Sequence, residues 1–128
     1  MVTLGAALSV PTPATIGSSP YLRLGVTYTP QPDYDRLWGS SFSQGLGSTA
    51  RVEAVTMTSA YAGGGPVTLD VPDVSGAAGW NDAWALLPGV STNWSVFGYG
   101  WPGPSAPAPP VANGSTFKLA EQNGTITP

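Results

Sequence analysis

Seven carboxylates, Asp33, Asp35, Glu53, Asp70, Asp73, Asp82 and Glu121, are the chain's main acid–base groups, because histidine and cysteine are both absent. Their absence removes the commonest general base, the thiol nucleophile and the usual zinc ligands together. Carboxylate pairs alone can run glycoside hydrolysis, but only at a fixed separation, and none of the seven sits in a motif that sets one. Gly63 to Gly65 is no phosphate loop, since no Lys-Ser/Thr follows and the next stretch alternates like a strand. The residue types point to a protein that is not an enzyme and takes no cofactor.

Two groups remain for binding chemistry. Asp70, Asp73 and Asp82, with the Asn81 carbonyl, would be oxygen ligands for calcium if loops gathered them at one end of a fold. Their spacing matches no calcium loop, and the simpler reading is that they cap turns and keep an edge strand from pairing, so no metal is expected. The second group is aromatic: Trp38, Trp80, Trp84, Trp94 and Trp101, with five tyrosines. Trp94 and Trp101 belong to a stretch that reads as core. Trp80 and Trp84, flanked by glycine and by Asn81 and Asp82, are the candidates for an exposed contact with a glycan or a protein partner.

Only 9% of the 128 residues are charged, against roughly a quarter in an average soluble protein, and 17 are glycine and 14 proline. Four cations, Arg23, Arg36, Arg51 and Lys118, lie scattered along the chain. They form no basic patch, so nucleic acid is not an expected partner. No apolar run approaches the length of a membrane span. The apolar N-terminus has no basic residue before it and is interrupted by Thr3, Gly5 and Ser9, so it does not read as an export signal. Asn93, Asn113 and Asn123 each open an Asn-x-Ser/Thr triplet, which the abundance of Ser and Thr explains by chance.

The elements that must position these residues are short strands. Val2, Leu4, Ala6, Leu8 and Val10 alternate with Thr3, Gly5, Ala7 and Ser9, the pattern of a first strand or of an arm donated to a neighbouring copy. Residues 11–20 read as a Pro/Gly/Ser connector. A strand is predicted from Tyr21 to Thr29, a helical turn from Asp33 to Trp38 and a loop to Ser48. The next strand is predicted over Ala50 to Ser59, with a bulge near Ala54 where the apolar phase shifts. Val67 to Val71 and Asp82 to Leu87 follow as strands, the latter pairing with a central strand within Ser91 to Trp101. That central stretch is apolar on both phases, and Gly98 and Gly100 leave room on one face for a neighbouring backbone or ring. Residues 102–110 hold five prolines and are expected to be an extended loop. A last strand around Thr116 to Leu119 and an edge segment from Gly124 complete the set.

About seven short strands and no long helix predict an all-β fold: an antiparallel β-sandwich, immunoglobulin- or fibronectin III-like, with a jelly roll as the alternative. The expected organisation is an N-terminal arm and linker over residues 1–20 and a sandwich domain over 21–128. The expected function is structural. A low-charge, Gly/Pro-rich surface and a terminal segment that needs something to lie against suit a virion component, such as a capsid-decoration, head-fibre or tail protein, whose partners are other protein subunits. Val2, Leu4, Leu8 and Val10 are the candidate self-assembly residues. The alternatives are a carbohydrate-binding or adhesion module, which needs Trp80 and Trp84 exposed, and a surface-filament subunit built by strand exchange.

Overall fold

The computed structural model describes residues 6–63, 65–103 and 114–128. Two antiparallel sheets face each other. β1 (Thr12–Gly17), β2 (Arg23–Tyr28) and β5 (Val67–Thr68) form a three-stranded sheet in the order β1-β2-β5. β3 (Leu37–Gln44), β4 (Arg51–Thr58), β6 (Thr92–Gly100) and β7 (Lys118–Ile126) form a four-stranded sheet in the order β4-β3-β6-β7. The one α-helix among the described residues is a single turn, α1 (Ser59–Ala62). This is the expected all-β sandwich.

Period-two burial makes it one. Leu22, Leu24, Val26 and Tyr28 point inward from the β2 segment, and Val67, Leu69 and Val71 point inward from the β5 segment. Val26 and Leu69 exchange backbone hydrogen bonds, and the Val71 N–H donates to the Leu24 carbonyl, so the β2–β5 pairing extends past the short formal strand. From the other sheet Trp38, Phe42 and Val96 meet them in one core, joined by Leu8, Tyr34 and Leu86.

The central strand is β6, paired with β3 on one side and β7 on the other. Its inner face carries Thr92, Trp94, Val96, Gly98 and Gly100. A Cβ at Gly100 would stand 2.1 Å from the Asp33 carbonyl oxygen, and one at Gly98 would stand 2.9 Å from the Tyr34 Cβ. The room expected on this face is thus filled by the backbone and ring of the β2–β3 connection. The outer face is not buried as expected: Phe97 and Tyr99 are half-exposed. Phe97 lies across Gly39 of β3, a ring covering the gap left by a missing side chain.

Several elements differ from expectation. Ala6–Val10 form no strand; Leu8 is 3% exposed in the core, and Val10, on the same alternation phase, is 80% exposed. Side chains hold this segment instead of a ladder. Tyr34 Oη donates to the Ala6 carbonyl (2.6 Å), Gln31 Nε2 to that of Ala7 (2.9 Å) and Gln122 Nε2 to that of Leu8 (3.2 Å). The first strand lies within the supposed connector, where Pro13 is tolerated because β1 is an edge. The Asp33–Trp38 helical turn and the following loop are a tight turn, closed by the Tyr34 N–H to the Gln31 carbonyl (2.8 Å), and then β3. β4 pairs with β3 in unbroken register, with no bulge at Ala54. Asp82–Leu87 is no strand against β6; it is a 3-10 turn over Asp82–Trp84, followed by a bridge from Leu86 to Leu22. Most of the proline run over residues 102–110 lies outside the described residues.

If Gly100 is the seat of the Asp33 backbone, Gly100→Ala lowers stability by about 2–3 kcal/mol in urea unfolding. Gly76, where an added Cβ meets nothing within 4 Å, is the control, and its alanine variant shifts stability by no more than about 0.5 kcal/mol. Equal effects at the two positions would contradict the seating.

Candidate functional site

The long connection between β5 and β6 carries Trp80, Asn81, Asp82 and Trp84, and buried polar side chains hold it at both ends. At its start the Tyr21 hydroxyl donates to the Pro72 carbonyl (3.0 Å) and accepts from the Val74 N–H (3.0 Å). At its end Gln44, buried in β3, grips Leu87 twice: Nε2 donates to its carbonyl (2.9 Å) and Oε1 accepts from its N–H (2.8 Å). In between, Arg51 Nη1 donates to the carbonyls of Ala83 and Ala85. Asn81 Oδ1 accepts from the Ala83 N–H (2.9 Å) and so caps the 3-10 turn. Gly79, at φ 86°, supplies the reversal just before it.

This scaffold presents aromatic rings. Trp80 stacks on Tyr21 with centroids 4.7 Å apart and planes at 28°, and Trp84 stands at 88° to Trp80 with centroids 6.1 Å apart. Trp80 Nε1 donates to Asp82 Oδ1 (2.8 Å), which fixes both side chains. Trp84 is 56% exposed and Trp80 is half-exposed. The structure therefore brings the four residues expected as a contact site into one surface cluster. Tyr21 and Arg51 belong to it too and were missed, because a stack between residues far apart in sequence leaves no pattern and Arg51 reads as an ordinary strand charge.

The other candidates fall elsewhere. Val2 and Leu4 lie outside the described residues, and Leu8 is committed to the core of its own chain. Trp94 packs over Gly124 and Trp101 is buried, as expected for core. The three aspartates do not converge. Asp70 Oδ1 lies over Gly25, Asp73 Oδ1 accepts from the Ser75 N–H and Oγ, and Asp82 serves Trp80. The Ser75 bonds hold the Asp73 carboxyl below its usual range. No cluster of three ligand-type side chains occurs among the described residues.

The second surface is the outer face of β6 and β7. Tyr99 packs edge-on to Phe97 (5.6 Å between centroids) and tilted against Phe117 (6.2 Å), and Leu119 stands opposite Tyr99 across the ladder. Phe117 and Leu119 are 52% and 49% exposed. Beside them an open cleft of about 310 Å³ is bordered by Asp33, Asp35, Arg36, Trp101, Phe117 and Lys118. Its charges are matched: Lys118 pairs with Asp33, whose carboxyl the bond holds below its usual range, and Arg36 Nε stands 3.5 Å from Asp35 Oδ1. Asp33 and Asp35 thus border the same cleft, each beside a cation.

Comparison of the chain with protein-family models, with curated proteins and with solved structures gives no match.

One buried acid lies close to the aromatic loop. Glu53 points inward from β4, and neither of its oxygens makes a well-formed hydrogen bond among the described residues. Burial pushes its pKa up to about 6, against partial relief from the Leu86 amide and the Arg23 charge. A raised carboxyl pKa favours the folded state while the group is protonated, and this contribution is lost as pH rises from about 4.5 through 6. Glu53→Gln is expected to flatten the stability profile across that window and to gain about 2 kcal/mol over the wild type near neutral pH. Urea unfolding at a series of pH values checks this; parallel profiles for the two proteins would contradict it.

Proposed function

We propose that the chain is a non-enzymatic structural subunit that works through protein–protein contacts, as a virion component of the capsid-decoration, head-fibre or tail type. The observation that carries this reading is β7. It pairs with β6 over nine residues in unbroken register, with neither bulge nor proline, and pairs with no other strand among the described residues. Natural edge strands are usually shortened, bulged or heavily charged to prevent further pairing. β7 carries only Lys118 and Glu121 as charges, and Phe117 and Leu119 stand exposed on the adjoining face. A free backbone edge supplies affinity and the side chains beside it supply selectivity, which is how strand addition works.

A second copy is the occupant that fits. In an antiparallel β7–β7 pair centred on Gln122, Glu121 opposes Asn123 and Lys118 opposes Ile126, so no like charges face each other. The virion setting rests on composition: a sandwich with 9% charged residues and abundant glycine and proline suits dense packing among subunits.

Light scattering across micromolar concentrations tests the reading. The full chain is expected to be a dimer or larger, and the double variant Phe117→Ser, Leu119→Lys a folded monomer whose unfolding midpoint does not vary with concentration. A wild-type chain that stays monomeric at every concentration would contradict it.

A further inference from the structure

We propose that the exposed face of Trp84, with Asn81 and Asp82 beside it, is a binding site for a neutral saccharide. The site does not depend on the β7 contact. Trp84 belongs to the loop that Arg51 of β4 holds, and β4 is the edge of the four-stranded sheet opposite β7.

The ligand class follows from what surrounds the ring. Trp84 meets Trp80 at a perpendicular angle and keeps 56% of its surface exposed to solvent. An aromatic face is electron-rich and attracts the electropositive C–H groups that a pyranose presents on its less hydroxylated side. Sugar hydroxyls then need donors and acceptors at the ring margin. Asn81 uses Oδ1 to cap the turn, which leaves its Nδ2 as a donor, and Asp82 uses Oδ1 for Trp80, which leaves Oδ2 as an acceptor. A protein hot spot would set the ring in an apolar pocket. Here its sequence neighbours Asn81, Asp82 and Ala83 are all exposed and mostly polar.

Charge selects a neutral ligand. Arg51 reaches from β4 to the segment that carries the Asp82 carboxylate, and its guanidinium is already bonded to the Ala83 and Ala85 carbonyls. The one cation bonded to this segment among the described residues is thus committed to backbone carbonyls, while the Asp82 carboxylate beside the ring disfavours an acidic sugar. Preorganisation supports binding as well: hydrogen bonds within the chain hold Asn81 and both loop ends, which lowers the ordering entropy that opposes association. Connections as long as that between β5 and β6 with so little regular structure commonly carry function.

The test is titration of the intrinsic tryptophan fluorescence of the full chain with cello-, chito-, xylo- and malto-hexaose, together with an array of neutral and sialylated glycans. At least one neutral saccharide is expected to give a saturable change. Trp84→Ala is expected to weaken it about tenfold or more without moving the unfolding midpoint, and Trp84→Phe to restore most of it. Absence of binding to every neutral saccharide, binding to acidic glycans alone, or binding indifferent to Trp84→Ala would each overturn the proposal.

Discussion

The sandwich depends on two missing side chains. Because β6 has glycine at positions 98 and 100, the backbone of Asp33 and Tyr34 can lie directly on the inner face of the four-stranded sheet. From that position Tyr34 organises its surroundings. Its carbonyl accepts from Trp38 Nε1 (2.7 Å) and from the Tyr28 hydroxyl (3.3 Å), and its own hydroxyl holds Ala6. Burial in this cluster pushes the Tyr28 phenol well above its ordinary pKa. Leu8 reaches Gly98 too, its Cδ1 3.4 Å from where a Cβ there would stand, so Leu8 is sealed into the core by the same contact.

At the other end of β6 a different economy operates. With few ions to spare, the chain fixes its longest described loop by polar side chains that reach into it from the strands: Tyr21, Arg51 and Gln44. Gln44 also donates to Thr92 Oγ1 (2.8 Å), so the loop and the central strand share one buried amide. Buried amides and hydroxyls that are fully bonded fix a unique arrangement, whereas a poorly bonded group works against the fold. Glu53 is the latter kind, and its position under the loop joins the loop's end to the protonation state of the core.

Where the sequence was legible, side-chain alternation carried the information. Leu22, Leu24, Val26 and Tyr28 alternate because one face of β2 is core and the other is not, and Val67, Leu69 and Val71 do the same. β3 was missed because Gly39, Ser40, Ser41 and Ser43 carry no strand signal of their own. Its stability is tertiary, from Phe97 lying across Gly39 and from the hydrogen bond between the Ser41 and Ser95 hydroxyls (3.0 Å). The apparent bulge at Ala54 has a related cause. Val52 and Ala54 face out and Glu53 faces in, so hydrophobicity and burial disagree there while the ladder runs on unbroken. Trp80 and Trp84 were legible as an exposed pair because their polar neighbours mark a surface. Tyr21 beneath them was not, since stacking between residues so far apart leaves no trace in spacing.

The sandwich is closed at its centre, and β7, the longest of its edge strands, is the one we propose a second copy covers. Hydrogen–deuterium exchange of the β7 amides, followed over a wide range of protein concentration, tests it most directly. The outward-facing amides between Lys118 and Ile126 are expected to become protected as concentration rises, while those already bonded to β6 stay unchanged. Rapid exchange of the outward-facing amides at every concentration would contradict it.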